Sequence, residues 1–160
     1  MKKTEKTNVM RILEQKKIEY TAHYYDTEEA VSGPEVAAMI GEDPYHVFKT
    51  LVTVGASKTN YVFVVPVEGE LDLKKAAKAV GEKSIAMIKS KELLPLTGYI
   101  HGGCSPIGMK KPFVTTIHET AKECETIIFS GGKIGYQVEV SPDDLKKIVN
   151  FKYADITVNP

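Results

Sequence analysis

The chain has 160 residues, the length of one ordinary domain, with 42% hydrophobic and 26% charged residues, a balance found in soluble globular proteins. Lys plus Arg total 21 and Asp plus Glu total 21, so a strongly basic nucleic-acid coat is excluded while a local basic patch is not. Only Arg11 among the basic residues is an arginine, which leaves little room for bidentate arginine reading of bases.

Elements alternate without a regular β-α-β rhythm, and the pattern predicts an α+β fold. The first helix is expected over about Thr7 to Lys17, with Val9, Ile12, Leu13 and the stem of Lys16 on one face. Tyr20 to Tyr25 reads as extended. Ser32-Gly33-Pro34-Glu35 opens a second helix, carrying Val36, Ala37, Met39 and Ile40 and stopped by Gly41. Asp43-Pro44 starts one more helical turn.

Phe48 to Val54 and Tyr61 to Val67 are rich in β-branched and aromatic residues and are expected as strands, joined by the hairpin loop GASKTN. The second run is apolar on both faces, the mark of a central strand. Asp72 is positioned to cap a helix over Leu73 to Val80, closed by Gly81, and Ser90 to cap another over Lys91 to Leu96. Gly98 to Gly108 holds too many glycines for regular structure and reads as a shaped loop. Strands are expected over Phe113 to His118, Thr126 to Ser130 and Gly135 to Val140. A final amphipathic helix from Ser141 would turn Leu145, Ile148 and Val149 inward, and Asp155 to Val158 would end the chain extended.

Four features could carry chemistry. Lys49 begins an apolar strand, where its ammonium could hold a phosphate or a developing oxyanion at a cleft mouth, or could be a solvated lysine at a strand end. The loop Gly102-Gly103-Cys104-Ser105-Pro106-Ile107-Gly108 could present main-chain N–H groups to an oxyanion, or be a tight turn. It matches neither the phosphate-binding loop GxxxxGK[ST] nor the dinucleotide pattern GxGxxG. Ser130-Gly131-Gly132-Lys133 could offer a hydroxyl and amides at a sheet edge, or be a glycine hairpin turn.

The fourth feature is the set of nucleophiles and ligands. Cys104 and Cys124 form no CxxC pair, so both are expected reduced, in a cytoplasm. His101 is three residues from Cys104, but a cysteine enzyme needs the base beside the thiol. Glu123 and Glu125 flank Cys124 and would raise its pKa. His23, His46, His101 and His118 show no metal-ligand spacing, so no metal and no cofactor is expected. The N-terminal MKKTEKTNVMRIL lacks the apolar core of a signal peptide, and no stretch nears the ~20 apolar residues of a membrane span.

The segments FKTLV at Phe48–Val52, LKKAAKAVG at Leu73–Gly81, GYIHGGCSPIG at Gly98–Gly108 and IFSGGKIG at Ile128–Gly135 together resemble the YbaK/EbsC family in order and spacing, over nearly the whole chain. The resemblance implies one editing domain spanning residues 1–160, like the insertion domain of bacterial prolyl-tRNA synthetases, with a mixed, partly barrel-like sheet surrounded by helices. It implies removal of cysteine from mischarged Cys-tRNA(Pro), without metal or organic cofactor. The family's lysine falls on Lys49 with Thr50 beside it. Its pocket glycines and serine fall on Gly102, Gly103, Ser130 and Gly132, and a pocket tyrosine on Tyr25. Some members carry an aromatic residue a few positions after that tyrosine; here Val31 is the apolar substitute. The family assigns no nucleophile to position 104.

On this reading the catalytic set is Lys49, Gly102 and Gly103, and the substrate-binding set is Tyr25, Val31, Thr50, Ser130 and Gly132. The expected partners are Cys-tRNA(Pro) and prolyl-tRNA synthetase, with neither membrane nor DNA. Three competing readings stand beside it: an Ala-tRNA(Pro) deacylase of the same fold, a non-catalytic module binding aminoacyl-tRNA or the synthetase, and a hydrolase using Cys104.

Overall fold

The computed structural model describes residues 5–27 and 29–159. Thr7 starts helix α1 (Asn8–Gln15) by accepting a hydrogen bond from the Met10 N–H, and Val9, Met10 and Leu13 are buried. The inward stripe thus runs through Met10, while Ile12 is half-buried and Lys16 exposed. The first four residues of the N-terminal segment read for a signal peptide lie outside the described residues, as does Glu28. Strand β1 (Thr21–Tyr24) follows.

Helix α2 (Gly33–Ile40) begins with a reciprocal cap: Ser32 Oγ accepts from the Glu35 N–H and the Glu35 carboxylate accepts from the Ser32 N–H. After a 3₁₀ turn at Pro44–His46, strands β2 (Phe48–Gly55) and β3 (Asn60–Pro66) form an antiparallel hairpin. Asp72 caps helix α3 (Leu73–Val80) by accepting from the Lys74 and Lys75 N–H groups. A short strand β4 (Ile85–Met87), unforeseen in the sequence, adds to the far half of β2. Helix α4 (Ser90–Thr97) has Ser90 as its first helical residue rather than its cap; the Glu92 carboxylate accepts from the Lys89 N–H instead.

Strands β5 (Val114–His118), β6 (Ile127–Ser130) and β7 (Tyr136–Val140) fall where the sequence places them. The final helix shortens to one turn, α5 (Pro142–Leu145), although Leu145 is buried and Ile148 and Val149 pack on the core as expected. The closing strand is β8 (Phe151–Ala154), four residues before the expected extended piece. That piece, around Thr157, belongs to no strand and has one isolated bridge, to Leu71.

The strands form two sheets, β4-β2-β3-β5-β8 and β1-β7-β6. In the larger sheet β4, β2 and β3 pair antiparallel, and β3, β5 and β8 pair parallel. The sheets meet at one parallel bridge, Val47–Ile128, and do not close, so the α+β class holds while the barrel stays open. Phe48, Val52, Val62, Val64, Ile117 and Phe129 pack with α1 in the larger core. Phe63, Val65, Ala76 and Ala77 form a second core against α3. Strand β3 is therefore buried on both faces, as its unbroken apolar run requires. No helix among the described residues is long and apolar enough to cross a membrane.

Candidate functional site

The Val47–Ile128 bridge is where β2 and β6 touch before the two sheets separate. Beyond it a cavity of about 220 Å³ opens, lined by Lys49 and Thr50 from β2 and Ser130 from β6. The Ile88 N–H donates to the Val52 carbonyl. Main-chain groups alternate in direction along a strand. Those of Thr50 therefore point the same way as those of Val52, along an edge that β4 covers only from Thr53 to Gly55. The cavity occupies the uncovered part of that edge.

Tyr25 and Val31 complete the wall from the segment between β1 and α2, and Gly102 and Cys104 complete it from the glycine loop. Gly33, at the start of α2, also reaches the cavity; a Cβ there would lie 2.5 Å from the Val67 side chain, so only glycine lets the helix end approach this closely. The positive end of α2 thus borders the site.

Lys49 is half-buried and forms no ion pair among the described residues. Burial pulls its ammonium below the usual lysine range, and the more distant Glu70 carboxylate works against that shift. An unpaired cation in a cleft is unfavourable for the empty fold and useful for an anionic ligand. Thr50 adds a second unmet group: its buried hydroxyl has no hydrogen-bond partner among the described residues. Ser130, 9% exposed, accepts from the Gly132 N–H at 3.1 Å, which leaves its hydroxyl proton for the cavity.

The two loop glycines behave differently. Gly102 lines the cavity with φ +88, and a Cβ there would meet the Ala30 Cβ at 2.7 Å. Its N–H has no acceptor among the described residues. Gly103 does not line the cavity. Its N–H donates to the Ile100 carbonyl at 3.0 Å, and its Cα faces the Lys133 main chain. The Gly103 amide expected as an oxyanion donor is thus engaged by the Ile100 carbonyl in this structure. Gly132 likewise stands outside the cavity, against Val9 and Tyr99. It reaches the site only by holding Ser130.

Cys104 faces the cavity, but burial pushes its thiol up to about 12, so it stays protonated at neutral pH. His101 lies at the exposed mouth, with no hydrogen bond to the Cys104 sulfur. No nucleophile–base pair borders this cavity. Among the described residues no group of three or more His, Cys, Asp or Glu could hold a metal ion. Sequence reasoning missed Gln137, which is 6% exposed, lines the cavity and pairs with Ser130 across β6 and β7. Its signal was a lone amide in the alternation Tyr-Gln-Val-Glu-Val, which reads equally as a solvent face.

A family model described as "Aminoacyl-tRNA editing domain" matches residues 27–148. The chain belongs to this editing-domain family. It is 46% identical over 158 residues to an Enterococcus faecalis (strain ATCC 700802 / V583) protein named "Putative Cys-tRNA(Pro)/Cys-tRNA(Cys) deacylase EbsC", across 98% of this chain and 96% of that one. The resemblance to the YbaK/EbsC family is borne out. Two solved structures share the fold. One, titled "Crystal structure of a putative trans-editing enzyme for prolyl tRNA synthetase", has a TM-score of 0.82 at 23% identity, covering 98% of this chain and all of the other. The other, "hypothetical protein APE2540", has a TM-score of 0.84 at 20% identity, covering 95% of this chain and 100% of that one.

Proposed function

We propose that the chain is a trans-editing deacylase that removes cysteine from Cys-tRNA(Pro), with residues 1–160 acting as one editing unit in the cytoplasm. The observation that carries this is the cavity itself. Among the described residues its lining holds an ammonium without an ion pair, a glycine whose amide has no acceptor and two hydroxyls, while the one thiol is buried, held protonated and without a hydrogen-bonded base. Such a site suits a substrate that brings its own nucleophile.

Cysteine does. Its side-chain sulfur, as thiolate, attacks the carbonyl carbon of its own ester. A C–S bond forms and the carbonyl oxygen becomes an oxyanion. The C–O bond to the ribose then breaks, the ribose oxygen takes up a proton, and free tRNA leaves with a four-membered cyclic thioester. A thiol with a pKa near 8.5 is a few per cent ionised at neutral pH, whereas a serine hydroxyl is not. Chemistry thus adds to a size filter that separates one methylene by only about 1–3 kcal/mol.

In this reading the Gly102 N–H and the Thr50 hydroxyl donate to the oxyanion. Lys49 holds the terminal adenosine phosphate or the carbonyl region, supported by the positive end of α2. Tyr25 and Val31 wall the aminoacyl side chain, and Ser130 and Gln137 receive its amino group. The tRNA(Pro) restriction comes from a partner, prolyl-tRNA synthetase, which releases the mischarged tRNA.

The test is deacylation of Cys-, Ala- and Pro-tRNA(Pro) by the purified protein. Loss of the cysteine ester alone supports the reading. Preferential loss of alanine would make it the alanine-specific enzyme of the same fold. Binding without ester loss would make it a carrier module.

A further inference from the structure

Strands β5 and β8 run parallel, with Thr115 opposite Phe151, so their starts lie side by side. The segments leading into them meet there around an open groove of about 540 Å³. Phe113 and Phe151 give it aromatic surface, Val114 is 53% exposed, and Lys111 and Asn150 are polar and exposed. No carboxylate lines it. The other large cleft, near β1 and β7, is lined by Glu19, Glu139 and Asp144. The two clefts thus differ in the sign of the charges that line them. The Lys146 ammonium lies outside the groove's lining, 5.1 Å from the centre of the Tyr153 ring and 5.7 Å from that of Phe151. The Lys152 ammonium is turned away, donating to the Ala79 carbonyl.

The groove adjoins the candidate site through one loop. Cys104 stands in the wall of the cavity and Pro106 in the wall of the groove. Two residues of chain span at most about 7 Å. Half-buried aromatic rings, the exposed Lys111 and a lining without a carboxylate among the described residues suit unstacked bases and their phosphates.

We propose that this groove receives the single-stranded 3′ end of the RNA, the nucleotides that lead into the terminal adenosine held at Lys49. The proposal rests on the editing reading for its direction, since it takes the aminoacyl end to lie in the cavity. Lys111 contacts a phosphate, and Phe113 and Val114 face bases.

The experiment measures binding of a fluorescent RNA hairpin that copies a tRNA acceptor stem with a single-stranded CCA end. The wild-type protein is compared with Lys111→Glu and Val114→Glu, two exposed positions whose substitution spares the core. Each variant is expected to weaken binding about tenfold or more, with a shallower salt dependence for Lys111→Glu. Each should also raise KM for Cys-tRNA(Pro) while cleaving the cysteinyl ester of adenosine, which reaches only the cavity, at the wild-type rate. Unchanged hairpin affinity in both variants, or a wild-type protein that does not bind the hairpin, would overturn the proposal. If the variants lose the hairpin but wild type cleaves no aminoacyl ester, the editing reading fails and the groove stands. If Cys-tRNA(Pro) is cleaved with unaltered KM by both variants, the groove fails and the editing reading stands.

Discussion

The Gly103 N–H donates to the Ile100 carbonyl at 3.0 Å, whereas Gly102, which lines the cavity, has an N–H without an acceptor among the described residues. The division of labour between two adjacent glycines is testable. Gly102→Ala forces a side chain into the left-handed region, costing about 1–2 kcal/mol, and drives its Cβ against Ala30 at 2.7 Å. The N–H is retained but the strained backbone must shift it, so activity should fall by up to about 10²-fold, the scale of misplacing one oxyanion donor. Gly103→Ala crowds the Lys133 main chain at 3.2 Å and should lower the melting temperature with a far smaller effect on kcat. Thermal denaturation and single-turnover deacylation, run on both variants, separate the two outcomes.

Lys49 is expected to be costly for folding and essential for activity. Its ammonium is half-buried and has no ion-pair partner among the described residues. Lys49→Met should lower deacylation by about 10²-fold or more while leaving stability unchanged or raised by up to about 1 kcal/mol. The sign of the linkage agrees. A lysine whose folded pKa is lowered holds fewer protons than the unfolded chain, so its penalty eases as pH rises through the folded value. Urea unfolding of both proteins at pH 7 and pH 9.5 checks this: the wild type should gain more stability than the variant.

Cys104 is expected to be dispensable. Its thiol is buried and held up to about 12. Cys104→Ser should keep deacylation within about threefold, after allowing for about 1–2 kcal/mol lost by burying a hydroxyl. Iodoacetamide at pH 8 should label the native protein at Cys104 far more slowly than the unfolded chain. A folded but inactive Cys104→Ser would restore the cysteine-hydrolase reading.

His118 predicts acid sensitivity. Its Nδ1 accepts from the Ile156 N–H at 3.2 Å, so the proton sits on Nε2, facing Thr157 Oγ1 at 3.3 Å. Burial lowers its pKa, against Asp155, Glu119 and Glu123, which raise it; Lys75 lowers it further. A histidine lowered in the fold contributes its full share of stability above about pH 6.5 and loses it as pH falls below that. One proton corresponds to at most about 1.4 kcal/mol per pH unit. The wild-type urea midpoint should drop between pH 7.5 and 5.5. His118→Gln, which can still accept from Ile156, should start less stable and show a flatter slope.

Much of the scaffold was legible because its signals are local. Asp72 and Gly81 bracket α3, and the double-sided apolar run of β3 announces a central strand. Lys49 and the glycine loop were legible for the opposite reason: each breaks the pattern around it. The three residues of β4 and the four of β8 were not, because such short edge segments gain strand structure only from a neighbour. Which glycine keeps its amide free depends on the Ile100 carbonyl, and which glycine meets the cavity depends on how β6 turns past Val9 and Tyr99. Gln137 comes to line the cavity only through the pairing of β7 with β6. These are properties of the packed chain that no spacing encodes.

The most direct measurement is single-turnover deacylation of Cys-tRNA(Pro) against Ser-tRNA(Pro), which differ by one atom, sulfur for oxygen, followed from pH 6 to 9. The account predicts that the cysteine ester is cleaved at least about 10³-fold faster, with a rate rising with pH until the substrate thiol ionises near 8.5. Comparable rates for the two esters would contradict it, because a nucleophile supplied by water or by the protein would not distinguish them.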